Sequence, residues 1–335
     1  MSPEIKARII ASEFIYEKAS FPQCHASTII ETGEGLLTAW FGGTYESYPD
    51  NCIYISSRKD GKWTKPLQVA DGIMDDGIQY PCWNPVLFRK KNGDVIMYYK
   101  VGPTVEEWWG MYKISTDDGK RWSRDVKIPG GFLGPIRTKP KVLSGGTILY
   151  PTSYETSKEW NIYVETSDQN LNDWRRIDID NNLFNAIQPT ILLYSDRSIQ
   201  MLCRSRERRI VETWSADQGK TWSPVKATKI PNNNSGIDAV SLDDDLQLLV
   251  CNPIETGRYK LAVLYSFDGK NWFEMIILED HPAVGFSYSA VITGEKTKSE
   301  FSYPAIIKGD DGKIHITYTY NREKIKYVCL EIHEK

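Results

Sequence analysis

Six phrases of the sequence place a residue of interest at the start of an apolar, strand-like segment, and in four of them proline follows directly. The six residues are Ala26, Asn84, Lys139, Gln188, Asp238 and Tyr303. Five of the six are polar, whereas a buried polar group without a partner costs about 1–3 kcal/mol. These amide, ammonium, carboxylate and phenol groups are therefore expected to converge on one polar site. The alternative is a hydrogen-bonded plug that only locks the surrounding strands together.

A second polar set closes the segments that follow. Its members are Thr44 or Glu46, Lys100, Glu155, Arg204, Asn252 and Arg322. Two cations, Arg137 and Lys139, also stand together in the phrase from Gly134 to Pro140. Cationic side chains at the start of a strand suit an anionic ligand, and Arg gives bidentate contacts to a carboxylate.

A repeated turn positions these sets. Ser115 to Trp122 and Ser215 to Trp222 both read S-x-D-x-G-x-x-W, and weaker copies run from Ser57 to Trp63, Ser167 to Trp174 and Ser266 to Trp272. The copies are about 50 residues apart, a period typical of propellers and solenoids. Asp and Gly favour a tight turn, and the Trp is expected to cover it.

The repeats predict an all-β, six-bladed propeller of four-stranded antiparallel blades, with residues 1–335 as a single domain. Strand-like segments at Ala7 to Tyr16 and Ile325 to Ile332 are expected to share the last blade and close the ring. The first strand of each blade would line the central channel, so both polar sets would meet at one mouth. The polar stretch from Glu295 to Ser299 is interpreted as a surface hairpin.

Composition excludes several classes of function. The net charge of −3 favours neither nucleic acid nor an anionic membrane as a partner, and no apolar run approaches the ~20 residues of a membrane span. Six scattered Cys and four His give no metal-ligand spacing, so neither a metal nor another cofactor is expected. Met1 to Arg8 lacks the apolar core of a signal peptide, which predicts a cytoplasmic protein, or a secreted or periplasmic one if a leader has been removed.

The turn repeat resembles the Asp box, or BNR repeat, of the sialidase (neuraminidase) family of β-propellers, and the resemblance covers essentially the whole chain. It implies that Asp50, in the loop from Tyr48 to Tyr54, is a general acid/base and that Tyr303 is the nucleophile. It also implies that Arg204 and Arg258 bind the carboxylate of a substrate.

Two positions depart from the family pattern, which indicates a divergent member. His25 stands where the family has its first arginine, and Gln188 stands where it has the glutamate that accepts the proton of the tyrosine. An amide cannot act as that base. His25 is the candidate for a replacement base.

Three functions remain open. The first is an exo-acting glycoside hydrolase for a terminal acidic sugar, sialic-acid-like or a uronate, bound by Arg204, Arg258 and Arg137 or Lys139. The second is a polysaccharide or oligosaccharide lyase acting on a uronate, with His25 or Tyr303 as the base that removes the proton α to the carboxylate. The third is a glycan-binding propeller without catalysis. Each has a carbohydrate bearing a carboxylate as its partner.

Overall fold

The computed structural model describes residues 4–282 and 299–334, and its strands form a closed propeller. Within these residues there are six antiparallel sheets, one for each blade. This confirms the predicted six-bladed, all-β architecture. The predicted hairpin at Glu295 to Ser299 lies, apart from Ser299, outside the described residues. Within the described ranges, no helix has the length and apolar character needed to cross a bilayer.

The first strand along the chain, β1 (Ile5–Phe14), belongs to the last blade. Blade 1 contains β2 (Gln23–Thr32), β3 (Gly35–Gly43), β4 (Cys52–Lys59), β5 (Lys62–Trp63) and β6 (Leu67–Ala70). Blade 2 contains β7 (Cys82–Arg89), β8 (Val95–Val101), β9 (Trp109–Ser115) and β10 (Val126–Lys127). Blade 3 contains β11 (Lys141–Val142), β12 (Ile148–Glu155), β13 (Trp160–Ser167) and β14 (Arg175–Asp178).

The second half of the ring repeats this plan. Blade 4 contains β15 (Ala186–Leu193), β16 (Ile199–Ser205), β17 (Arg209–Ser215) and β18 (Lys226–Pro231). Blade 5 contains β19 (Asp238–Ser241), β20 (Gln247–Cys251), β21 (Lys260–Ser266) and β22 (Phe273–Asp280). Blade 6 contains β23 (Phe301–Lys308), β24 (Ile314–Tyr320), β25 (Lys324–Glu334) and β1.

Blade 6 is closed by strands from opposite ends of the chain. β1 pairs antiparallel with β25, with Ile9 opposite Leu330 and Phe14 opposite Lys326. This pairing satisfies backbone groups of β25 that an open ring would leave at a sheet edge. The ring closure predicted from the sequence is therefore present.

The core lies between the blades. The inner strands are apolar on both faces because each face packs against a neighbouring blade; every residue of β8 is buried. Between blades 3 and 4, for example, Leu149 and Val164 share one apolar cluster with Ile191 and Met201. This packing makes each blade a rigid support for the residues at its ends.

Each well-formed repeated turn connects the third strand of its blade to the fourth. In the copy after β17, Ser215 Oγ accepts a hydrogen bond from Gly219 N at 2.9 Å, and Asp217 Oδ1 accepts one from Thr221 N at 2.9 Å. Trp222 Nε1 donates to Gly219 O at 3.1 Å, so the indole covers the turn as the sequence predicts. Gly219 has φ +79° and packs on Leu149 of blade 3.

Replacing Gly219 with alanine is expected to destabilise the propeller by about 1–2 kcal/mol, because the left-handed backbone is costly for any residue with a Cβ. The added Cβ would also lie 3.2 Å from Leu149 Cδ1. Urea unfolding of the two proteins measures the difference. Gly145→Ala is the control, because a Cβ there meets open space; equal stability of the two variants would contradict the prediction.

Candidate functional site

Four inner strands begin with the same backbone irregularity. Ala26, Asn84, Gln188 and Tyr303 all have positive φ, at 57°, 41°, 53° and 52°, and the strand register shifts at each. Non-glycine residues rarely adopt this conformation, and such strain is concentrated at functional sites. These are equivalent residues of blades 1, 2, 4 and 6, and all four are buried. Gln188 and Tyr303 both contact Arg204, which places these two at one mouth of the channel.

Tyr303 is at the centre of a cationic cluster. The guanidinium carbons of Arg137, Arg204 and Arg258 lie 5.2, 5.5 and 5.7 Å from the centroid of its ring. Arg204 Nη1 also donates a hydrogen bond to the Tyr303 hydroxyl oxygen at 2.5 Å. A guanidinium that donates to the phenol oxygen stabilises negative charge that develops there during a reaction, so the geometry suits a nucleophilic or proton-transferring tyrosine.

Arg204 is fixed in place by neutral partners. At the end of β16, its Nη1 donates to Gln188 Oε1 at 3.2 Å and its Nε donates to Asn234 Oδ1 at 2.9 Å. The face of Trp160 lies 5.4 Å from its guanidinium carbon. Because Gln188 offers an amide oxygen rather than a carboxylate, it orients Arg204 without neutralising its charge.

His25 is a neutral group packed against the tyrosine. Its ring centroid lies 4.0 Å from that of Tyr303, and the residue is 1% exposed. Burial lowers the pKa of His25 well below its usual value, and the charge of Arg322 lowers it further. Neither ring nitrogen has a hydrogen-bond partner among the described residues, so His25 lies beside the Tyr303 ring without bonding to its hydroxyl.

Glu300 is a site residue that the sequence reasoning missed. It is buried three residues before Tyr303 and accepts hydrogen bonds from Arg258 Nη1 at 2.7 Å, Arg322 Nε at 3.1 Å and Ser302 Oγ at 2.8 Å. Burial raises its pKa, but the charges of Arg322 and Arg258 outweigh this and hold the pKa well below the usual value. Glu300 is therefore an ionised anchor for two arginines.

Arg322 brings a further guanidinium to the position next to His25. It lies in the hairpin turn between β24 and β25 with φ +58°, and its carbonyl oxygen accepts a hydrogen bond from Cys24 N at 2.7 Å. Its Nη1 donates to Glu46 in the loop after β3. A cation thus stands beside the place where the family resemblance leads one to expect an arginine and the sequence has histidine.

Asp50 is held in that same loop, between β3 and β4. Both oxygens of its carboxylate accept hydrogen bonds from Thr44, from the backbone N at 2.9 Å and from Oγ1 at 2.6 Å. The side chain is half-buried. The loop is tied to the cationic cluster through the Glu46–Arg322 ion pair.

Glu155, at the end of β12, is a second half-buried carboxylate of the mouth. Burial raises its pKa; the charge of Arg204 opposes the rise and that of Glu46 adds to it. The sequence placed Glu155 in the second polar set without giving it a role. A raised pKa makes this carboxylate a stronger base than an ordinary glutamate.

The terminal nitrogens of Arg137 form hydrogen bonds that hold blades together. Nη1 donates to Ile237 O at 2.9 Å and Nη2 donates to Pro304 O, so the side chain crosses the channel from blade 3 to blades 5 and 6. Burial lowers its pKa to about 10, which leaves it protonated at neutral pH. Its Nε has no partner among the described residues. The two terminal nitrogens that would form a bidentate clamp are therefore already used.

Lys139 and Asp238 lie apart from Tyr303, contrary to the expectation of one ring. They form an ion pair with N···O 3.1 Å and line a different cavity with Thr190, Ile306 and other residues. The physical reason is local: neither has the left-handed backbone of the four bulged residues.

Lys100 is also outside the cluster. It is fully buried and its Nζ donates to Pro135 O at 2.8 Å. Burial lowers its pKa, which the nearby charge of Glu165 opposes. Lys100 therefore locks blade 2 to blade 3. Within the described residues, no group of three or more His, Cys, Asp or Glu side chains is arranged to hold a metal ion.

Solved structures share this fold at low identity. A protein of unknown function from Dyadobacter fermentans superposes with a TM-score of 0.76 at 17% identity, covering 98% of this chain and 99% of that one. The K499G mutant of NanB sialidase from Streptococcus pneumoniae superposes with a TM-score of 0.72 at 12% identity, covering 95% of this chain and 70% of that one. Trypanosoma rangeli sialidase, in complex with the inhibitor DANA, superposes with a TM-score of 0.70 at 14% identity. The match covers 98% of this chain and 60% of that one.

These identities support a common fold and no more. No curated protein is similar to the chain by sequence alone at a significant level. The model of the BNR repeat-like domain matches residues 34–316, which is most of the chain and reaches from blade 1 into blade 6. The chain therefore belongs to the BNR repeat-like domain family, as a divergent member whose fold the matched sialidases share.

Proposed function

We propose that this protein is a glycoside hydrolase that releases a terminal sugar bearing a carboxylate. The observation that carries the proposal is the contact of 2.5 Å between Arg204 Nη1 and the hydroxyl oxygen of Tyr303, at a channel mouth with further arginines. The matched sialidases, which share the fold, support the same chemistry by analogy.

Three arginines are available for the carboxylate of the sugar: Arg204, Arg258 and Arg322. Each is held by neutral or anionic partners through Nε, Nη1 or both. Guanidinium groups bind carboxylates with strong, oriented hydrogen bonds. We assign Arg322 the role of the arginine that His25 replaces, while Arg137 supports the floor of the site.

The reaction divides into two steps. In the first, the Tyr303 oxygen bonds to the anomeric carbon, the glycosidic bond breaks, and Asp50 gives its proton to the departing oxygen. Glu155 is our candidate for the base that takes the Tyr303 proton. In the second, Asp50 takes a proton from water, whose oxygen bonds to the anomeric carbon and displaces Tyr303, and Glu155 returns its proton to the Tyr303 oxygen as the sugar acid leaves.

A panel of sialosides, ulosonides and uronides tests the proposal. Wild type is expected to release a free sugar acid from one class, and Asp50→Ala is expected to be slower by about 10²–10⁴-fold, the scale of general acid catalysis. Asp178→Ala is the matched control, since that carboxylate is 78% exposed on the outer strand β14. If wild type and Asp50→Ala are equally inert on the whole panel, the proposal is wrong.

A lyase is the second candidate, and His25 is the observation that favours it. A neutral imidazole with two unpartnered nitrogens beside Tyr303 can remove the proton α to the carboxylate of a uronate. Elimination would leave an unsaturated sugar that absorbs ultraviolet light, whereas the product of hydrolysis does not absorb there. Glycan binding without turnover of any substrate would instead identify a binding propeller.

A further inference from the structure

The opposite end of the channel holds a second cavity, of about 270 Å³. The strand β23 runs from Tyr303 to the lining residues Ile306, Ile307 and Lys308, so three to five residues separate the two sites, by roughly 10–16 Å at 3.3 Å per residue. Arg137 crosses the channel between them. The cavity is thus distinct from the proposed active site and opens toward the face that carries the repeated turns.

Asp238 is the acidic group of this cavity, and its bonding capacity is already used. Oδ2 accepts hydrogen bonds from Lys139 Nζ at 3.1 Å and Ile306 N at 3.0 Å, and Oδ1 accepts one from Thr190 Oγ1 at 3.0 Å. Burial raises the pKa of Asp238, but Lys139 and Arg137 outweigh this and lower it. Asp238 and Lys139 therefore neutralise each other.

Two further lysines line the cavity. Lys308 comes from blade 6, and at the rim it pairs with Asp243, whose side chain is 85% exposed. Lys141 comes from blade 3, is partly buried, and forms no ion pair with a carboxylate of the described residues. Burial lowers its pKa; Asp238 opposes this and Lys139 adds to it. The lining therefore holds three lysines and one carboxylate, Asp238; with Asp243 outside the lining paired to Lys308, Lys141 is the lysine left without a carboxylate partner among the residues described.

Ser241 adds a neutral donor. Its Oγ accepts a hydrogen bond from Leu193 N at 2.9 Å, which leaves the hydroxyl hydrogen free to point into the cavity. An ammonium group without a partner in a partly buried site is unfavourable unless an anion compensates it. Two ammonium groups and a hydroxyl match the acceptor oxygens of a small oxyanion.

We propose that this cavity, formed by Lys141, Lys308 and Ser241, binds a small oxyanion of the phosphate class. The anion neutralises Lys141 and links blade 3 to blades 5 and 6 at this end of the channel. The active-site arginines bind the carboxylate of the sugar at the other end. Binding there stabilises the ring without taking part in sugar chemistry, so the proposal does not depend on the activity proposed above.

Calorimetric titration of the full chain with inorganic phosphate, at constant ionic strength, tests the proposal. One saturable site is expected, with a rise in Tm of about 2–4 °C at high occupancy. Lys141→Met is expected to weaken binding at least about tenfold, the scale of a lost charge-assisted hydrogen bond. Titrations with sulfate and acetate separate a tetrahedral oxyanion from a carboxylate.

Two matched variants distinguish this site from other cationic surfaces. Lys62→Met removes the same charge from an exposed outer strand and should leave binding unchanged, and Arg258→Met should do so too. Three outcomes would each overturn the proposal. Phosphate does not bind to wild type, or it binds equally to Lys141→Met and Lys62→Met, or it no longer binds to Arg258→Met. If Lys141→Met does not fold, Lys308→Met decides the same question, because the side chain of Lys308 is 37% exposed.

Discussion

Tyr303→Phe is expected to lower kcat/KM on the acidic glycoside by at least about 10³-fold while the protein remains folded. The change removes only the hydroxyl that accepts the Arg204 hydrogen bond, and a nucleophile removed in this way leaves only binding and electrostatic stabilisation. The phenyl ring keeps its packing on His25 and under the three guanidinium groups. Steady-state kinetics on the substrate identified by the panel measure the loss.

Tyr265→Phe is the control for Tyr303→Phe. It is another buried tyrosine, in β21 of blade 5, and it packs on Phe267 and Phe273 away from the channel. Its activity should match wild type. A Tyr303→Phe enzyme that retains more than about a tenth of wild-type kcat/KM would rule out both nucleophilic attack and proton transfer by this residue.

Glu300→Ala is expected to lower the free energy of unfolding by about 3–5 kcal/mol, the cost of breaking a buried ion pair from one side. The carboxylate is 8% exposed, and its removal leaves Arg258 without the partner seen here and Arg322 with Glu46 alone. Both guanidinium groups lose orientation, so KM for an acidic substrate should rise as well. Chemical unfolding at neutral pH gives the first quantity and substrate saturation the second.

The pH dependence of this difference follows from the lowered pKa of Glu300. Its stabilising effect is complete above the pKa of the unfolded chain, about 4.3, and is lost as the pH falls through the lower pKa of the folded protein. The difference in the free energy of unfolding between wild type and Glu300→Ala should therefore narrow only in strong acid. Glu331→Ala, which removes an exposed partner of Arg8, should cost less than about 1 kcal/mol; a similar loss in both variants would show that Glu300 is not an anchor.

The fold was predictable because its signals are local and repeated. Gly119 and Gly219 recur in phase, each with positive φ and each packed on the preceding blade, at Leu37 and Leu149. Any sequence with such turns every 50 residues must repeat one supersecondary unit. Closure of the ring by β1 was predictable because the strand-like segment from Ala7 to Tyr16 precedes the first repeat and so belongs to none of the repeats.

The site was only partly predictable, because its contacts join residues distant in the sequence. Glu300 lies in a polar stretch that gives no sign of burial, and its arginine partners are 42 and 22 residues away. The position of Arg322 beside His25 depends on a hairpin turn with positive φ. The sequence aligns Lys139 and Asp238 with Tyr303, but neither has the positive φ that Tyr303 has at the bulge of β23, and the side-chain direction depends on that conformation.

The pairing of β1 with β25 also governs when the proposed active site can form during synthesis. Tyr303, Glu300 and Arg322 all belong to the blade that holds the first and the last strands. Translation yields the other five blades first, and the earliest strand must wait for residues 324–334 to leave the ribosome. A nascent chain stalled before residue 324 would already carry Tyr303, but in a blade without its two outer strands, so catalysis should appear only once β25 is made and pairs with β1, rather than grow blade by blade.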